Sequence, residues 1–190
     1  MSEFEFLFVL FSLVMGLSLV ELLTGLGRAL ELRLAQDERR QGLKFGWLSP
    51  LLAVFVILDL LSFWMFAWAI RDLIKVTSLS TLGVVAFCGA YFLAARLVFP
   101  SQPERYRDLD NHYFEVRRTV FAMLIVMVAI QWAFVLTQPS LAAAASSPLT
   151  LGLTALLLAL MLAAMVIRNK AVSIAVLAAL VLRYLLVYVT

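Results

Sequence analysis

The sequence predicts an all-α integral membrane protein with six transmembrane helices, and three observations support this fold class. Hydrophobic residues make up 64% of the 190 residues, and the mean hydropathy of +1.02 exceeds that of soluble domains. These residues form six continuous stretches, each near the roughly 20 residues that cross a bilayer as a helix. The stretches lack the polar–apolar alternation of membrane β-strands. The expected spans are 4–26, 47–69, 79–99, 120–136, 148–167 and 171–189.

Basic residues lie mainly in alternate connections, and this pattern predicts the orientation. The connections on the other side of the membrane contain only two basic residues, Arg71 and Lys75. Cytoplasmic loops are enriched in Lys and Arg, so both termini are expected outside, in a bacterial cytoplasmic (inner) membrane. The charges flank spans instead of forming a compact patch, which favours contact with bilayer lipids and argues against a nucleic-acid partner. The basic residues of the three expected cytoplasmic connections are Arg28, Arg33, Arg39, Arg40, Lys44, Arg96, Arg105, Arg107, Arg117, Arg118, Arg168 and Lys170.

The chain is expected to form three helical hairpins in two parts. All 14 phenylalanines and all four tryptophans precede residue 135, and Leu, Ala and Val dominate the remainder. Residues 1–138 are therefore predicted to form a four-helix module of two hairpins with cytoplasmic connections. Residues 139–190 are predicted to form a tighter, alanine- and leucine-rich C-terminal hairpin. The first two hairpins share orientation and loop length, which leaves an internal duplication open.

Two connections carry helix signals of their own. Span one is expected to continue into the cytoplasm, since Leu30 and Leu34 keep helical spacing. Ser101 followed by Glu104 is a capping-box pattern, which predicts a short interfacial helix before span four. That helix either lies on the headgroups or leads into the span. Ser147 and Pro148 suit the N-cap and first position of span five.

Four polar residues stand inside the predicted spans, where polar groups are costly and often functional. At 1.5 Å per residue, Asp59, Gln131 and Arg183 reach one layer near or just beyond the bilayer midplane. The layer predicts either an Asp–Arg pair bridged by Gln131 or a titrating Asp59 that serves protons or cations, unless Arg183 extends to the outer headgroups. Glu21, in the cytoplasmic half of span one, is expected to line a vestibule or to bond a hydroxyl or arginine of an adjacent helix.

Interfacial candidates for chemistry are few. Asp108, Asp110 and His112 combine acids and a histidine near a membrane surface, where a lipid-modifying enzyme would place metal or general-base groups. The segment lacks the glycine and distal glutamate of a calcium loop. Cys88 and His112 are the only residues of their types, so the sequence indicates no metal site and no cofactor.

Small residues recur every four positions in the last two spans. Such spacing lets helix backbones approach closely in lipid. It predicts either packing of spans five and six against each other or a subunit interface. The residues concerned are Ala155, Ala159 and Ala163 in span five and Ala171, Ala175 and Ala179 in span six.

Three functions are compatible with these patterns. The polar layer favours an oligomeric membrane protein that conducts ions or protons between helices or protomers. The small extramembrane mass and the alanine stripes favour an accessory or assembly subunit of a larger membrane complex. The third hypothesis, a membrane-embedded lipid-modifying enzyme, rests only on the 108–112 region. We therefore expect a transport or assembly role, with a homo-oligomer or a membrane-complex partner, and no enzymatic activity.

Overall fold

The computed structural model describes residues 3–36, 46–100 and 109–189, and within these ranges the chain is helical with no strand. Six of the helices are long and apolar enough to span a membrane. The predicted class, an all-α multi-pass membrane protein, is confirmed. The helices are α1 Glu3–Gln36, α2 Leu48–Ala69, α3 Ser78–Val98, α4 Leu109–Thr137, α5 Pro139–Ala145, α6 Pro148–Val166 and α7 Lys170–Val189.

Local capping residues set two of the helix starts. The Thr77 hydroxyl accepts a hydrogen bond from the Ser80 amide at 3.1 Å, and the Thr77 amide donates to the Ser80 hydroxyl at 2.8 Å, a reciprocal capping box before α3. At α6 the Ser147 hydroxyl accepts from the Thr150 amide at 3.2 Å, and Pro148 occupies the first turn. The predicted start of span five is thus confirmed.

The connections differ in detail from the expectation. α1 continues beyond residue 26 to Gln36, as the leucine spacing predicted. Residues 109–119, which precede the expected start of span four, belong to α4, as in the alternative that this segment leads into the span. Its expected start at Ser101 lies outside the described residues. A seven-residue helix, α5, occupies the connection between spans four and five, where no helix was predicted. Pro139 begins it, and consecutive alanines favour its helical geometry.

The six long helices share one apolar core. α1 packs on α3 and α2, α2 also contacts α4 and α7, and α4 contacts α3 and α6. α6 and α7 pack against each other, so the C-terminal hairpin lies against α2 and α4. The division of the chain at residue 138 stays a prediction.

Polar contacts identify which helix termini lie together. Glu21 of α1 pairs with Arg96 of α3, and Asp110 of α4 contacts both the Leu48 amide of α2 and Lys170 of α7. We call this side of the bundle the basic end and the opposite side the distal end. Which of them faces the cytoplasm stays a prediction.

The alanine stripes do not join α6 to α7 as first expected. Ala155, Ala159, Ala171 and Ala175 are exposed, and the core-facing positions of α6 are instead filled by Leu157 and by two residues further along the helix. At 100° per residue the stripes lie roughly opposite the buried side of each helix. The physical reason is that lipid and core are both apolar, so small-residue spacing alone does not tell which face is inside. The buried residues of the hairpin are Leu157, Met161, Ala164, Ser173, Leu177, Leu180 and Tyr184, while Ala163 and Ala179 are half-buried.

Candidate functional site: a polar cleft at the distal end

A cleft of about 350 Å³ lies in the distal half of the bundle, between α2, α4, α5, α6 and α7. It exists because α5 and the start of α6 lie beside the distal half of α4, which leaves space between α6 and α2. We call it the distal cleft. Its lining residues are Asp59, Ser62, Phe63, Phe66, Val128, Gln131, Trp132, Val135, Leu141, Ala144, Ala145, Thr150, Thr154, Leu157, Arg183 and Tyr184.

The distal cleft brings together three of the four polar residues singled out in the sequence. Asp59 of α2, Gln131 of α4 and Arg183 of α7 all line it, although they are far apart in the chain. Asp59 and Arg183 lie 11 and 13 residues after the first residues of α2 and α7, whereas Gln131 lies 22 residues after the first residue of α4. All three helices run from the basic end to the distal end, so Gln131 lies further toward the distal end than the other two. The three residues thus share one cleft, whereas the single layer predicted from the sequence, and its role in transport, stay predictions.

Asp59 is buried, with 1% of its surface exposed, and two tyrosines hold its carboxyl group. The Tyr184 hydroxyl donates to Oδ1 at 2.5 Å, and the Tyr91 hydroxyl lies 3.1 Å from Oδ2. Tyr91 also lies 2.7 Å from the carbonyl oxygen of Val56. These contacts join α2 to α3 on one side and to α7 on the other.

A proton count describes how this network can be satisfied. The single hydroxyl proton of Tyr91 faces two oxygens, the Val56 carbonyl, which can only accept, and Oδ2 of Asp59. If Asp59 is protonated, its own O–H donates to Tyr91, and Tyr91 donates to Val56. Every short contact is then a hydrogen bond. If Asp59 is ionised, the Val56 carbonyl and Oδ2 of Asp59 must share the single hydroxyl proton of Tyr91. The arrangement can thus hold a proton at Asp59.

Arg183 lines the same cleft without pairing with Asp59. The two side chains are both described, yet they form no ion pair within 4.0 Å, because the tyrosines take the carboxyl oxygens. The predicted Asp–Arg pair bridged by Gln131 is therefore wrong for this conformation. The Arg183 guanidinium lies 4.8 Å from the ring centroid of Tyr184. Its buried Nε has no hydrogen-bond partner among the described residues.

Two tyrosines of the site were not found from the sequence. Tyr91 and Tyr184 are fully or nearly fully buried and are 32 and 125 residues from Asp59 in the chain. One sequence feature could have indicated them, namely a tyrosine within an apolar span. A buried tyrosine hydroxyl generally has a hydrogen-bond partner, and a polar residue of another span is a candidate for it. Ser62 and Thr154, which also line the cleft, gave no signal beyond their polarity.

Glu21 lies away from the distal cleft, at the basic end. It forms an ion pair with Arg96 of α3, which is the predicted alternative of an arginine on an adjacent helix. Both residues border a small pocket together with Gly25 and Phe99. A Cβ at Gly25 would overlap the Phe99 ring, so this glycine allows α1 and α3 to approach here.

Asp110, an interfacial candidate from the sequence, caps another helix. Its Oδ1 accepts a hydrogen bond from the Leu48 amide at 3.0 Å, at the N-terminus of α2, and its carboxylate pairs with Lys170 at the start of α7. A Cβ at Gly46 would overlap this carboxylate, so the glycine makes room for it. The negative charge thus lies where the dipole of α2 favours it. Asp108 lies outside the described residues.

His112 and Arg117 of α4 contact the ends of two different helices. A ring nitrogen of His112, Nε2, lies 3.0 Å from the Leu97 carbonyl in the last turn of α3. Arg117 is buried and donates to the carbonyls of Ala164, at 3.2 Å, and Ile167, at the end of α6. The sequence had assigned Arg117 only to the basic connection. These contacts give Asp110, His112 and Arg117 structural roles.

No group of three or more His, Cys, Asp or Glu suited to a metal ion occurs within residues 3–36, 46–100 and 109–189. Cys88 is buried in the core.

Comparison with known proteins gives no relative. The chain matches no family model, no curated protein and no solved structure. The functional argument therefore rests on the geometry of the distal cleft.

Proposed function

We propose that the protein moves protons, or other small ions, across the membrane by way of Asp59. The observation that carries this proposal is the distal cleft, a partly polar cavity that reaches a buried carboxyl group held by two tyrosines. Ionisable residues within membrane spans commonly mark ion and proton pathways. The hydrogen-bonded row Tyr184, Asp59 and Tyr91 supplies groups that can accept and release a proton.

The apolar core favours a proton over a hydrated ion. Between Asp59 and the basic end, large apolar side chains fill most of the packed interior and leave little space for a hydrated ion. A proton needs only a hydrogen-bonded relay or brief entry of water on this side. The residues that fill this part of the core include Leu52, Phe55, Phe121 and Leu177, each 0% exposed.

Proton flux into liposomes tests the proposal. Purified protein is reconstituted with a pH-sensitive dye inside and a potassium-set membrane potential. We expect wild-type flux above that of empty liposomes and its loss in Asp59→Asn, which keeps the size of the side chain but cannot ionise. Asp72→Asn is the matched control, because Asp72 is an exposed carboxylate near the distal end. The proposal fails if folded wild-type protein gives no flux, or if Asp59→Asn conducts like the wild type.

A second candidate function, assembly within a larger membrane complex or homo-oligomer, is favoured by the outward-facing alanines of α6 and α7. A surface of small residues allows close approach of another helix in lipid. This candidate does not compete with proton movement, since an oligomer can carry the same cleft in each protomer.

A further inference from the structure

Polar side chains without partners are concentrated in the distal cleft. Ser62, Gln131, Thr154 and Arg183 line it, and none has a hydrogen-bond partner within the described parts of the chain. Polar groups at membrane depth are costly unless something bonds them, and neighbouring helices usually do so. Here the four side chains border open space instead. Water or a ligand must therefore satisfy them.

The charge balance of the cleft favours an anion. Arg183 is its one lining residue that is permanently charged, and it has no acidic partner within 4.0 Å among the described residues. Asp59 is the only acidic residue among the described lining residues, and it adds no charge in the protonated form that its hydrogen bonds with Tyr184 and Tyr91 accommodate. The first turn of α6 contributes Thr150 to the wall, so the positive end of that helix dipole also lies at the cleft.

The donors present match a phosphate group. A guanidinium offers a planar pair of N–H donors that fits two phosphate oxygens, while the Gln131 amide and the Thr154 hydroxyl can donate to others. A single arginine balances a single negative charge, as in a phosphodiester. The cleft volume of about 350 Å³ is much larger than the roughly 30 Å³ that one water occupies, so a phosphate group fits. Apolar wall residues such as Phe66 and Leu141 suit carbon next to the phosphate.

We infer that the distal cleft is a binding site for one phosphate group, held by Arg183 and hydrogen-bonded by Gln131 and Thr154. The group is carried either by a phospholipid headgroup or by free phosphate. This inference goes beyond the proposed proton movement, because the cleft can bind an anion whether or not protons pass Asp59.

Trp132, which lines the cleft, provides the readout. The full-length protein in maltoside detergent, which contains no phosphate, is titrated with inorganic phosphate in one arm. In the other arm it is titrated with a short-chain phosphatidylglycerol, and chloride at matched ionic strength is the blank. We expect a saturable change in tryptophan fluorescence that is lost in Trp132→Phe. Saturation by inorganic phosphate identifies free phosphate as sufficient, and saturation by the lipid alone identifies the headgroup.

Arg183→Gln is expected to weaken binding at least about tenfold, since a hydrogen bond to a charged group is lost. Thr154→Val, which keeps the shape and charge of the side chain, is expected to weaken binding about two- to tenfold. This variant tests the inference if Arg183→Gln does not fold. Arg71→Gln is the matched control, because Arg71 lies over a different tryptophan, Trp68, at 5.1 Å. Binding equal to wild type in Arg183→Gln and Thr154→Val, or no saturation in either arm, overturns the inference. Absence of proton flux leaves this binding result intact, so the two proposals fail separately.

Discussion

At the scale of single residues, Asp59 shows how a membrane core accommodates a carboxyl group. Two tyrosines supply a hydroxyl on each side, so neither oxygen faces hydrocarbon without a partner. Their rings also pack in the core, with Phe63 against Tyr91 and Phe55 against Tyr184 at centroid distances of 5.9 Å. Each tyrosine thus bonds the carboxyl group through its hydroxyl and packs in the apolar core through its ring. The sequence indicated Asp59 but not these partners, because they come from helices distant in the chain.

Tyr184→Phe is expected to lower the free energy of unfolding by about 1–3 kcal/mol, the usual cost of leaving a buried polar atom without its partner. Tyr188→Phe is the matched control. Its hydroxyl donates to the Leu58 carbonyl at 3.2 Å on the exposed side of the same helix, so a loss of no more than about 0.5–1.5 kcal/mol is expected. Thermal unfolding in detergent compares the two. Equal losses would mean that Tyr184 does not support a buried carboxyl.

At the scale of helices, the first turns of α4 organise the basic end. Asp110 lies at the N-terminus of α2, His112 at the last turn of α3, and Arg117 at the C-terminus of α6. The charges match the helix dipoles, negative at an N-terminus and positive at a C-terminus. One helix thereby contacts the ends of three others and bonds some of the backbone groups that those ends leave unpaired.

Asp110→Ala is expected to cost about 0.5–2 kcal/mol through loss of the α2 cap, with a further loss from the ion pair between buried Asp110 and half-exposed Lys170. Lys170→Met separates the two, because it removes the pair and keeps the cap, so it should cost no more than about 1 kcal/mol. Unfolding in detergent measures both. Hydrogen exchange at the Leu48 amide should accelerate only in Asp110→Ala. A larger loss in Lys170→Met would show that the pair and not the cap is decisive.

The spans could be predicted from the sequence because a membrane helix is defined by the length and continuity of its apolar residues. The extension of α1 followed from leucine spacing in the same way. The cap of α2 could not be predicted, since Asp110 is 62 residues from Leu48 and capping across helices leaves no local pattern. α5 was missed because a short alanine-rich segment resembles a connection. In the cleft, the similar depth of Asp59 and Arg183 was predictable from rise per residue, whereas that of Gln131 was not, because α4 begins at Leu109, before the apolar stretch. The partners of these residues depended on how the helices pack.

At the scale of the whole molecule, the outer surface is apolar, as lipid contact requires. Its composition is not uniform. Large side chains are exposed on several helices, such as Leu79 on α3 and Leu162 on α6, and α6 and α7 also expose alanines roughly opposite their buried sides. Because lipid competes with any helix for an apolar surface, association in a bilayer depends on close fit more than on hydrophobicity. The alanines exposed on the C-terminal hairpin thus give another transmembrane helix a place for close approach.

Larger side chains on the face with these alanines distinguish contact with lipid from contact with a second copy of the chain. Ala159→Leu together with Ala175→Leu adds bulk at two exposed positions on neighbouring helices. If the face contacts a second copy of the chain, the added side chains hold the backbones apart, and self-association in liposomes should weaken at least tenfold. Energy transfer between labelled copies at several protein-to-lipid ratios measures this. Ala129→Leu, at an exposed position of α4, is the matched control and should leave association unchanged. If the double variant associates like the wild type, or if the wild type shows no association, the face does not contact a second copy and any homo-oligomer must use another surface.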